Sequence, residues 1–218
     1  MTADLRQIVE GVLLVFAALF PIVNPLGGAP IFLAMTSHSS QQERASLAWQ
    51  VTVNAFILLL ASVATGTYVL EFFGISVPVV QVAGGLVVSA LGWQLLQDPS
   101  TIDRRTPATK ASRRGIAFYP LTMPLTVGPG SISVAITIGA NHSHSVRSLL
   151  IDGPATLIGV TLVAATVFIA YRFADRLSRI IGETGMSVLL RLTAFILFCI
   201  GVQIVWNGAS ALLRTLPG

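Results

Sequence analysis

The chain has 218 residues, of which 54% are hydrophobic and only 10% are charged, and its mean hydropathy is +0.80. Soluble domains carry about a quarter charged residues, so this composition excludes an ordinary soluble domain. The net charge of +4 comes from arginine, since Lys110 is the single lysine. An excess this small, distributed over short loops, is a topology signal and excludes nucleic acid as a partner.

Six stretches of the chain contain no Asp, Glu, Lys or Arg. They hold 32, 26, 26, 32, 19 and 22 residues, and a helix needs about 20 apolar residues to cross a bilayer. In chain order the stretches are 11–42, 45–70, 72–97, 115–146, 153–171 and 192–213. The sequence therefore predicts an all-α polytopic membrane protein with six transmembrane helices.

A proline-rich motif occurs twice, at an offset of 99 residues. Residues 20–26 match residues 119–125, with proline at the second and sixth positions of each, and Pro30 matches Pro129. Three proline pairs in phase, with apolar neighbours, indicate an internal repeat rather than chance.

The repeat divides the chain into a first three-helix repeat, 1–97, a cytoplasmic basic linker, 98–114, and a second three-helix repeat, 115–218. Because three spans per half is an odd number, the second repeat is predicted to enter the membrane inverted relative to the first. The loops on the linker's side of the membrane hold 9 of the 13 Lys and Arg residues. Since basic loops are retained in the cytoplasm, both termini are predicted to lie outside it.

The two motifs are also predicted to break the first and fourth helices. Residues 20–30 and 119–131 each contain three prolines and two glycines, which remove backbone hydrogen bonds and weaken the helix. Non-helical backbone is tolerated at membrane depth only inside the protein or along a wet cavity. We therefore predict a substrate site where the breaks meet, with freed N–H groups for a carboxylate and freed carbonyls for an ammonium group.

The predicted pocket consists of backbone groups and small polar side chains, which suit a solute the size of glycine, alanine or serine. Polar residues in the other spans, Asn54, Gln81 and Gln203, are interpreted as interhelical hydrogen-bonding groups. The candidate substrate-binding residues are Asn24, Pro25, Gly27, Gly28, Thr122, Thr126, Gly128, Gly130 and Ser131.

The sequence favours neither catalysis nor metal binding. All three histidines lie in predicted loops, Cys199 is the single cysteine, and no acidic residue lies within a predicted span. We therefore predict no enzyme, no metal site and no cofactor. Any proton carrier would have to be a residue at a span edge, such as Asp152 or Glu10.

The motifs at 24–32 and 124–133 resemble those of the MarC family of bacterial inner-membrane proteins, and the resemblance extends over essentially the whole chain. The second motif is complete, whereas family members commonly carry Asn at the position of Gly28. The resemblance implies six spans in a fold akin to the LysE superfamily, in the bacterial inner membrane. It also implies transport of small neutral amino acids such as glycine and alanine, coupled to protons.

We therefore expect a secondary transporter of small neutral amino acids, with import and export both open. Its expected partners are the lipid bilayer, the solute and protons, and the sequence leaves assembly into a homo-oligomer open. Two alternatives remain. One is a carrier of divalent metal ions or other metabolites, favoured only by fold-level analogy, and the other is a membrane scaffold that transports nothing.

A reporter fused after Gly218 tests the predicted topology. A fluorescent protein that matures only in the cytoplasm is expected to stay dark at this position, and to fluoresce when it is inserted in the linker, 98–114. Fluorescence from the C-terminal fusion would contradict the outward placement of the termini.

Overall fold

The computed structural model describes residues 2–97, 113–141 and 146–214, and the regular structure in these ranges is helical. Between the fifth and sixth helices, Ala117–Thr126 winds in wide turns of the π type and is called the wound segment below. Most of the predicted linker, 98–112, lies outside the described residues. The helices are α1 (Thr2–Val23), α2 (Pro25–Met35), α3 (Gln41–Phe72), α4 (Val77–Gln97), α5 (Arg113–Ile116), α6 (Pro129–Ala140), α7 (Val146–Arg172) and α8 (Ala174–Leu213).

The described residues contain five helical stretches that are long and apolar enough to cross a membrane. The remaining predicted span, the fourth, corresponds to the wound segment followed by α6, whose 12 residues are too few to cross alone. The predicted polytopic all-α fold is therefore confirmed. The five stretches are Asp4–Met35, Gln41–Phe72, Val77–Gln97, Leu150–Arg172 and Ser187–Leu213.

The first span is interrupted at a single residue. Asn24 adopts the left-handed conformation (φ 50°, ψ 58°) between α1 and α2, which asparagine tolerates better than most residues. Its Oδ1 accepts a hydrogen bond from the Gly27 N–H at 3.0 Å and so caps α2. Pro21 and Pro30 are accommodated inside the helices on either side. The chain therefore does not run extended here, in contrast to the fourth span.

The break in the fourth span is longer and extends over residues 117–128. Tyr119 (φ −124°, ψ 121°) and Met123 (φ −115°, ψ 120°) are extended, and each precedes a proline, whose ring disfavours the helical conformation at the preceding residue. The hydroxyls of Thr122 and Thr126 donate to carbonyls five residues earlier, at 2.7 and 2.8 Å. These side chains replace hydrogen bonds that irregular backbone lacks at membrane depth.

The two halves of the chain exchange contacts instead of forming separate bundles. Helix α1 packs against α7 of the second half, and the wound segment packs against α3 of the first. Helix α2 contacts α7 and α8, just as α6 contacts α3 and α4. If corresponding elements of the two halves are exchanged, the α1–α7 pair becomes the pair of the wound segment and α3, and the contacts of α2 become those of α6. The pairs α3–α7 and α4–α8 are unchanged by the exchange. This pairing is expected of two inverted repeats related by a pseudo-two-fold axis.

The hydrophobic core lies in a bundle of α1, α2, α3, the wound segment, α6 and α7, which we call the core bundle. Its fully buried side chains include Leu19, Phe32, Leu59, Leu121 and Val163. Within the described part of the chain, α4 contributes no residue to this core. Instead, α4 pairs with α8 beside the bundle.

Glycines hold the α4–α8 pair together at short range. A Cβ atom on Gly85 would lie 2.7 Å from the Val205 nitrogen, and one on Gly201 would lie 2.9 Å from the Gly85 oxygen and still closer to the Ser89 nitrogen. Small residues let two membrane helices approach until their backbones touch. The pair is therefore a tightly packed unit of its own.

An ion pair joins the two halves at the end of the molecule where α3 and α8 begin, which we call the arginine end. Arg44 of α3 pairs with Asp175 of α8, and its guanidinium also donates to the carbonyls of Thr36 and Ser39. The Arg44 side chain is only 13% exposed, so the pair is screened less than a surface pair. It links the first loop to the start of α8.

The predicted loop between the fifth and sixth spans is helical. Helix α8 begins at Ala174 and is interrupted only at Gly182, whose φ of 71° and ψ of 170° lie in a region that favours glycine. The chain therefore turns at Gly182 before it crosses the membrane as Ser187–Leu213.

The variant Gly201→Ala is expected to destabilise the protein by about 1–3 kcal/mol, because its methyl group would overlap backbone atoms of α4. The matched control is Gly153→Ala on α7, where a Cβ atom meets nothing within 4 Å. It is expected to keep or raise stability, since Ala favours the helix over Gly. Thermal unfolding in detergent measures both, and equal melting temperatures would contradict the close contact between α4 and α8.

Candidate substrate site

A cavity of about 260 Å³ lies between the two helix breaks and the α4–α8 pair, and we call it the inner cavity. Helix α4 contributes Val88 and Leu91 to its wall, and α8 contributes Thr193 and Leu197. Motif residues from both halves of the chain therefore meet around one space. The motifs supply seven of the nine predicted residues, namely Asn24, Gly27, Gly28, Thr126, Gly128, Gly130 and Ser131.

The other two predicted residues do not line this cavity. Pro25 is buried in the first turn of α2, a position that requires no N–H donor. Thr122 is fully buried; its hydroxyl donates to the Ala117 carbonyl and accepts from Nδ2 of Asn54 at 3.4 Å. Thr122 therefore ties the wound segment to α3.

Asn24 has a structural role and also faces the cavity. Because its Oδ1 caps α2, its Nδ2 group is the part left to face a solute, and it has no acceptor among the described residues. A Cβ atom on Gly27 would lie 2.8 Å from Oδ1 of Asn24 and 2.8 Å from a methyl carbon of Thr193. Gly27 is therefore required for the cap to close.

Tyr171 of α7 supports the cavity wall from behind. Its side chain is fully buried and stacks on Phe32, with ring centroids 4.5 Å apart. Its hydroxyl lies 2.9 Å from Oγ1 of Thr126 and donates to it, because the Thr126 hydrogen is already donated to the Leu121 carbonyl. A Cβ atom on Gly28 would lie 2.5 Å from the Tyr171 oxygen. Gly28 therefore makes room for Tyr171.

The N-terminus of α6 opens into the inner cavity without a side-chain cap. Gly128 precedes the helix in an extended conformation, and Pro129 occupies its first turn. Gly130 and Ser131 follow and line the cavity, and their N–H groups are among those that a helix leaves unpaired at its start. A helix N-terminus carries about half a positive charge, which attracts anions.

The C-terminus of α1 reaches the same cavity. Ile22 and Val23 are its last two residues, and both line the wall. Pro25 has no N–H to return to the Pro21 carbonyl. A helix C-terminus carries partial negative charge, which attracts cations. The inner cavity therefore presents helix ends of opposite polarity.

The repeated motifs do not identify the part of the wall that α4 and α8 contribute. Val88, Gln94 and Thr193 lie outside the motifs, and no charge or spacing distinguishes them from other span residues. The sequence contains only an indirect signal for this part of the wall. The glycines of α4 and α8 indicate that these two helices pack closely, but not which of their residues face the cavity.

Three polar residues in the other spans were predicted to form hydrogen bonds between helices, and two of them do. Asn54 donates to the wound segment, and Gln81 donates to Thr137 of α6 at 3.3 Å, so both bonds are interhelical as predicted. The interpretation of Gln203 was wrong, since its Nε2 donates to Asn207 of its own helix at 2.9 Å. The sequence does not show which way α8 is rotated.

In the ranges that the structure describes, no charged side chain lines the inner cavity. Among the described residues, no group of three or more His, Cys, Asp or Glu could hold a metal ion, and the residues lining the cavity carry no charge. Glu10 pairs with Arg6 at 2.8 Å on the exposed face of α1, and Asp152 is half-buried on α7. Two of the three histidines, His142 and His144, lie outside the described residues.

A sequence profile of the MarC family integral membrane proteins matches residues 9–213. The chain belongs to the MarC family. The resemblance stated from the two motifs is thereby confirmed, and the protein is an integral membrane protein.

Curated relatives of similar length support this assignment. The UPF0056 inner membrane protein MarC of Citrobacter koseri is 28% identical over 208 residues, covering 90% of this chain and 93% of that protein. The protein of the same name from Escherichia coli is 30% identical with the same coverage, and a UPF0056 membrane protein of Buchnera aphidicola is 30% identical over 92% of each chain. No solved structure matches the chain.

The variant Gly28→Ala is expected to lower the melting temperature, because the new methyl group would press on the Tyr171 hydroxyl. Tyr171→Phe alone is expected to cost about 1 kcal/mol, through the lost hydrogen bond to Thr126. The double variant removes the clash and is expected to melt no lower than Gly28→Ala. Thermal unfolding of the three variants in detergent tests this, and fully additive losses would contradict the assigned role of Gly28.

Proposed function

We propose that this MarC-family protein is a secondary transporter of small neutral amino acids, which bind in the inner cavity. One observation carries the proposal: seven residues from the motifs of the two halves line one cavity whose wall, among the described residues, bears no charged side chain. In secondary transporters built from inverted repeats, substrates bind where the broken helices of the two halves meet.

The polarity of the helix ends supports an amino acid as the substrate. A carboxylate at the start of α6 would accept hydrogen bonds from the N–H groups of Gly130 and Ser131, and Nδ2 of Asn24 is a further donor. The ammonium group of the same molecule would face the carbonyl end of α1. A divalent metal ion would find carbonyls but no carboxylate ligand among the described wall residues. A zwitterion therefore complements the site better than a metal ion.

The size of the cavity supports a small solute rather than a drug-sized one. Its volume of about 260 Å³ lies below the range of about 300–1,000 Å³ that is usual for drug-sized ligands. The spaces beside Gly27 and Gly28 are occupied by Asn24 and Tyr171, so neither glycine opens a side slot. Glycine, alanine and serine are the proposed solutes.

We place the protein in a bacterial inner membrane, because the curated relatives are named inner membrane proteins. The distribution of basic residues favours both termini outside the cytoplasm and the arginine end inside it. The inner cavity then lies in the cytoplasmic half. Protons are the proposed coupling ion. Since neither Glu10 nor Asp152 lines the inner cavity, a proton carried by either residue would bind at a distance from the solute site.

Uptake of radiolabelled alanine into proteoliposomes tests the proposal. The variant Gly128→Leu is expected to reduce uptake by about tenfold or more, because its side chain would fill the inner cavity. Gly153→Leu, on the exposed face of α7, is the matched control and is expected to transport like the wild type. Gly130→Leu is a poorer variant, since its Cβ atom would overlap Val88 and displace α4.

The same vesicles separate the alternative functions. Unlabelled alanine is expected to compete with the label better than leucine does, because of the small cavity. Selective uptake of Zn²⁺ or Mn²⁺ would support a metal carrier instead, and the absence of any flux would support a scaffold. Either result would contradict the proposal, as would a folded Gly128→Leu protein with wild-type uptake.

A further inference from the structure

A second cavity, of about 360 Å³, lies on the other side of the Asn24 break, and we call it the outer cavity. It is enclosed by α1, α4, α6 and α8, which also take part in the wall of the inner cavity. No motif identified in the sequence predicts it. Its polar wall consists of Gln81, Thr137, Asn141, Gln203 and Asn207.

The two cavities occupy successive stretches of the same helices. Helix α6 lines the inner cavity with its first turn and the outer cavity with 134–141. Helix α8 lines the inner cavity with 190–197 and the outer cavity with 200–207. Ile22, at the end of α1, lines both. The cavities therefore lie in series along the direction in which the helices cross the membrane, and they adjoin at Ile22.

The outer cavity is suited to water rather than lipid. Gln203 and Asn207 are exposed although they lie within the span Ser187–Leu213. A carboxamide facing hydrocarbon is costly, so polar groups at this depth face protein or a water-filled cavity. Nε2 of Gln81 donates to Thr137 and Nε2 of Gln203 to Asn207. In the described ranges this leaves the amide oxygens of both glutamines and Nδ2 of Asn207 without a protein partner.

We infer that the outer cavity is a second solute site, on the same path as the inner cavity and open to the opposite side of the membrane. Ile22 forms the barrier between the two sites. The inference rests on the proposed transport function and deepens it. The free amide groups both donate and accept hydrogen bonds, and the described wall residues carry no charge. The site therefore takes uncharged or zwitterionic solutes that both donate and accept hydrogen bonds.

Cysteine labelling tests the position and hydration of the two sites. Cys199 is the single cysteine, so Cys199→Ser provides a cysteine-free background. In this background Asn207→Cys reports on the outer cavity and Leu95→Cys on the inner cavity, whereas Trp206→Cys, beside Asn207 on α8, is the control. Trp206 is 64% exposed and lines neither cavity, so a cysteine there would face lipid.

A membrane-impermeant methanethiosulfonate reagent reacts with thiolates, which form in water and not in hydrocarbon. Applied from outside, it is expected to modify Asn207→Cys about tenfold faster than Trp206→Cys. Leu95→Cys is expected to react only when the reagent reaches the cytoplasmic face. Millimolar alanine is expected to slow the reaction of Asn207→Cys. Equal rates for Asn207→Cys and Trp206→Cys, reaction of both cavity positions from one face, or no effect of alanine would overturn the inference.

The barrier is tested by Ile22→Trp, which is expected to reduce alanine uptake about tenfold and leave both labelling rates unchanged. Wild-type uptake by this variant would overturn the barrier. These experiments distinguish failure of the proposed transport function from failure of the two-site path. If the wild type transports no alanine but the labelling follows the expected pattern, including its slowing by alanine, the transport function falls and the two solute sites stand. If alanine is transported but Asn207→Cys is unreactive, the path falls.

Discussion

Backbone hydrogen bonding at membrane depth is the constraint on which this structure depends. The prolines of the two motifs remove N–H donors from two spans, and a bilayer offers no water to replace them. The protein satisfies the irregular backbone with its own side chains, since Asn24 caps α2 and the hydroxyls of Thr122 and Thr126 bond to earlier carbonyls. In the described part of the chain, the groups left for a solute include the N–H groups at the start of α6, Nδ2 of Asn24 and the carbonyl end of α1. The candidate site consists of these remaining groups, brought to one cavity by the packing of the two halves.

The two breaks differ, and their difference gives the site its direction. The first is a single left-handed residue whose side chain caps the following helix. The second is a segment of extended and wide-wound backbone that ends at an uncapped helix. Had both helices been capped alike, neither would offer a charge-complementary end to a solute. With α2 capped and α6 open, the wall of one cavity contains both the anion-binding end of α6 and the carbonyl end of α1. An approximately symmetric architecture would thereby offer different partners to the two ends of the proposed zwitterionic solute.

The sequence predicted the spans and the places where two of them break, because hydropathy and proline act locally. It did not predict roles that depend on three-dimensional contacts. Thr122 has the same spacing as Thr126 relative to the prolines, yet it faces α3, since rotation about the wound segment is set by packing. Gly28, a candidate substrate-binding residue, lines the inner cavity, but the space beside it is occupied by Tyr171. A tyrosine at the end of a span is usually an interfacial residue, so no local pattern indicated that Tyr171 would support the cavity.

The α4–α8 pair explains how two cavities fit into so small a protein. The pair is held together by backbone contacts at Gly85 and Gly201, whereas both cavities lie between it and the core bundle. Close contacts resist deformation and cavities do not, so a tilt of the pair against the bundle would enlarge one cavity at the expense of the other. The Arg44–Asp175 ion pair holds the start of α8 to α3 at the arginine end, near the inner cavity. Because the chain turns at Gly182, this attachment lies outside the span Ser187–Leu213, whose residues 190–197 line the inner cavity and whose Gln203 and Asn207 line the outer cavity. A tilt of this span against the core bundle would therefore act on both cavities at once.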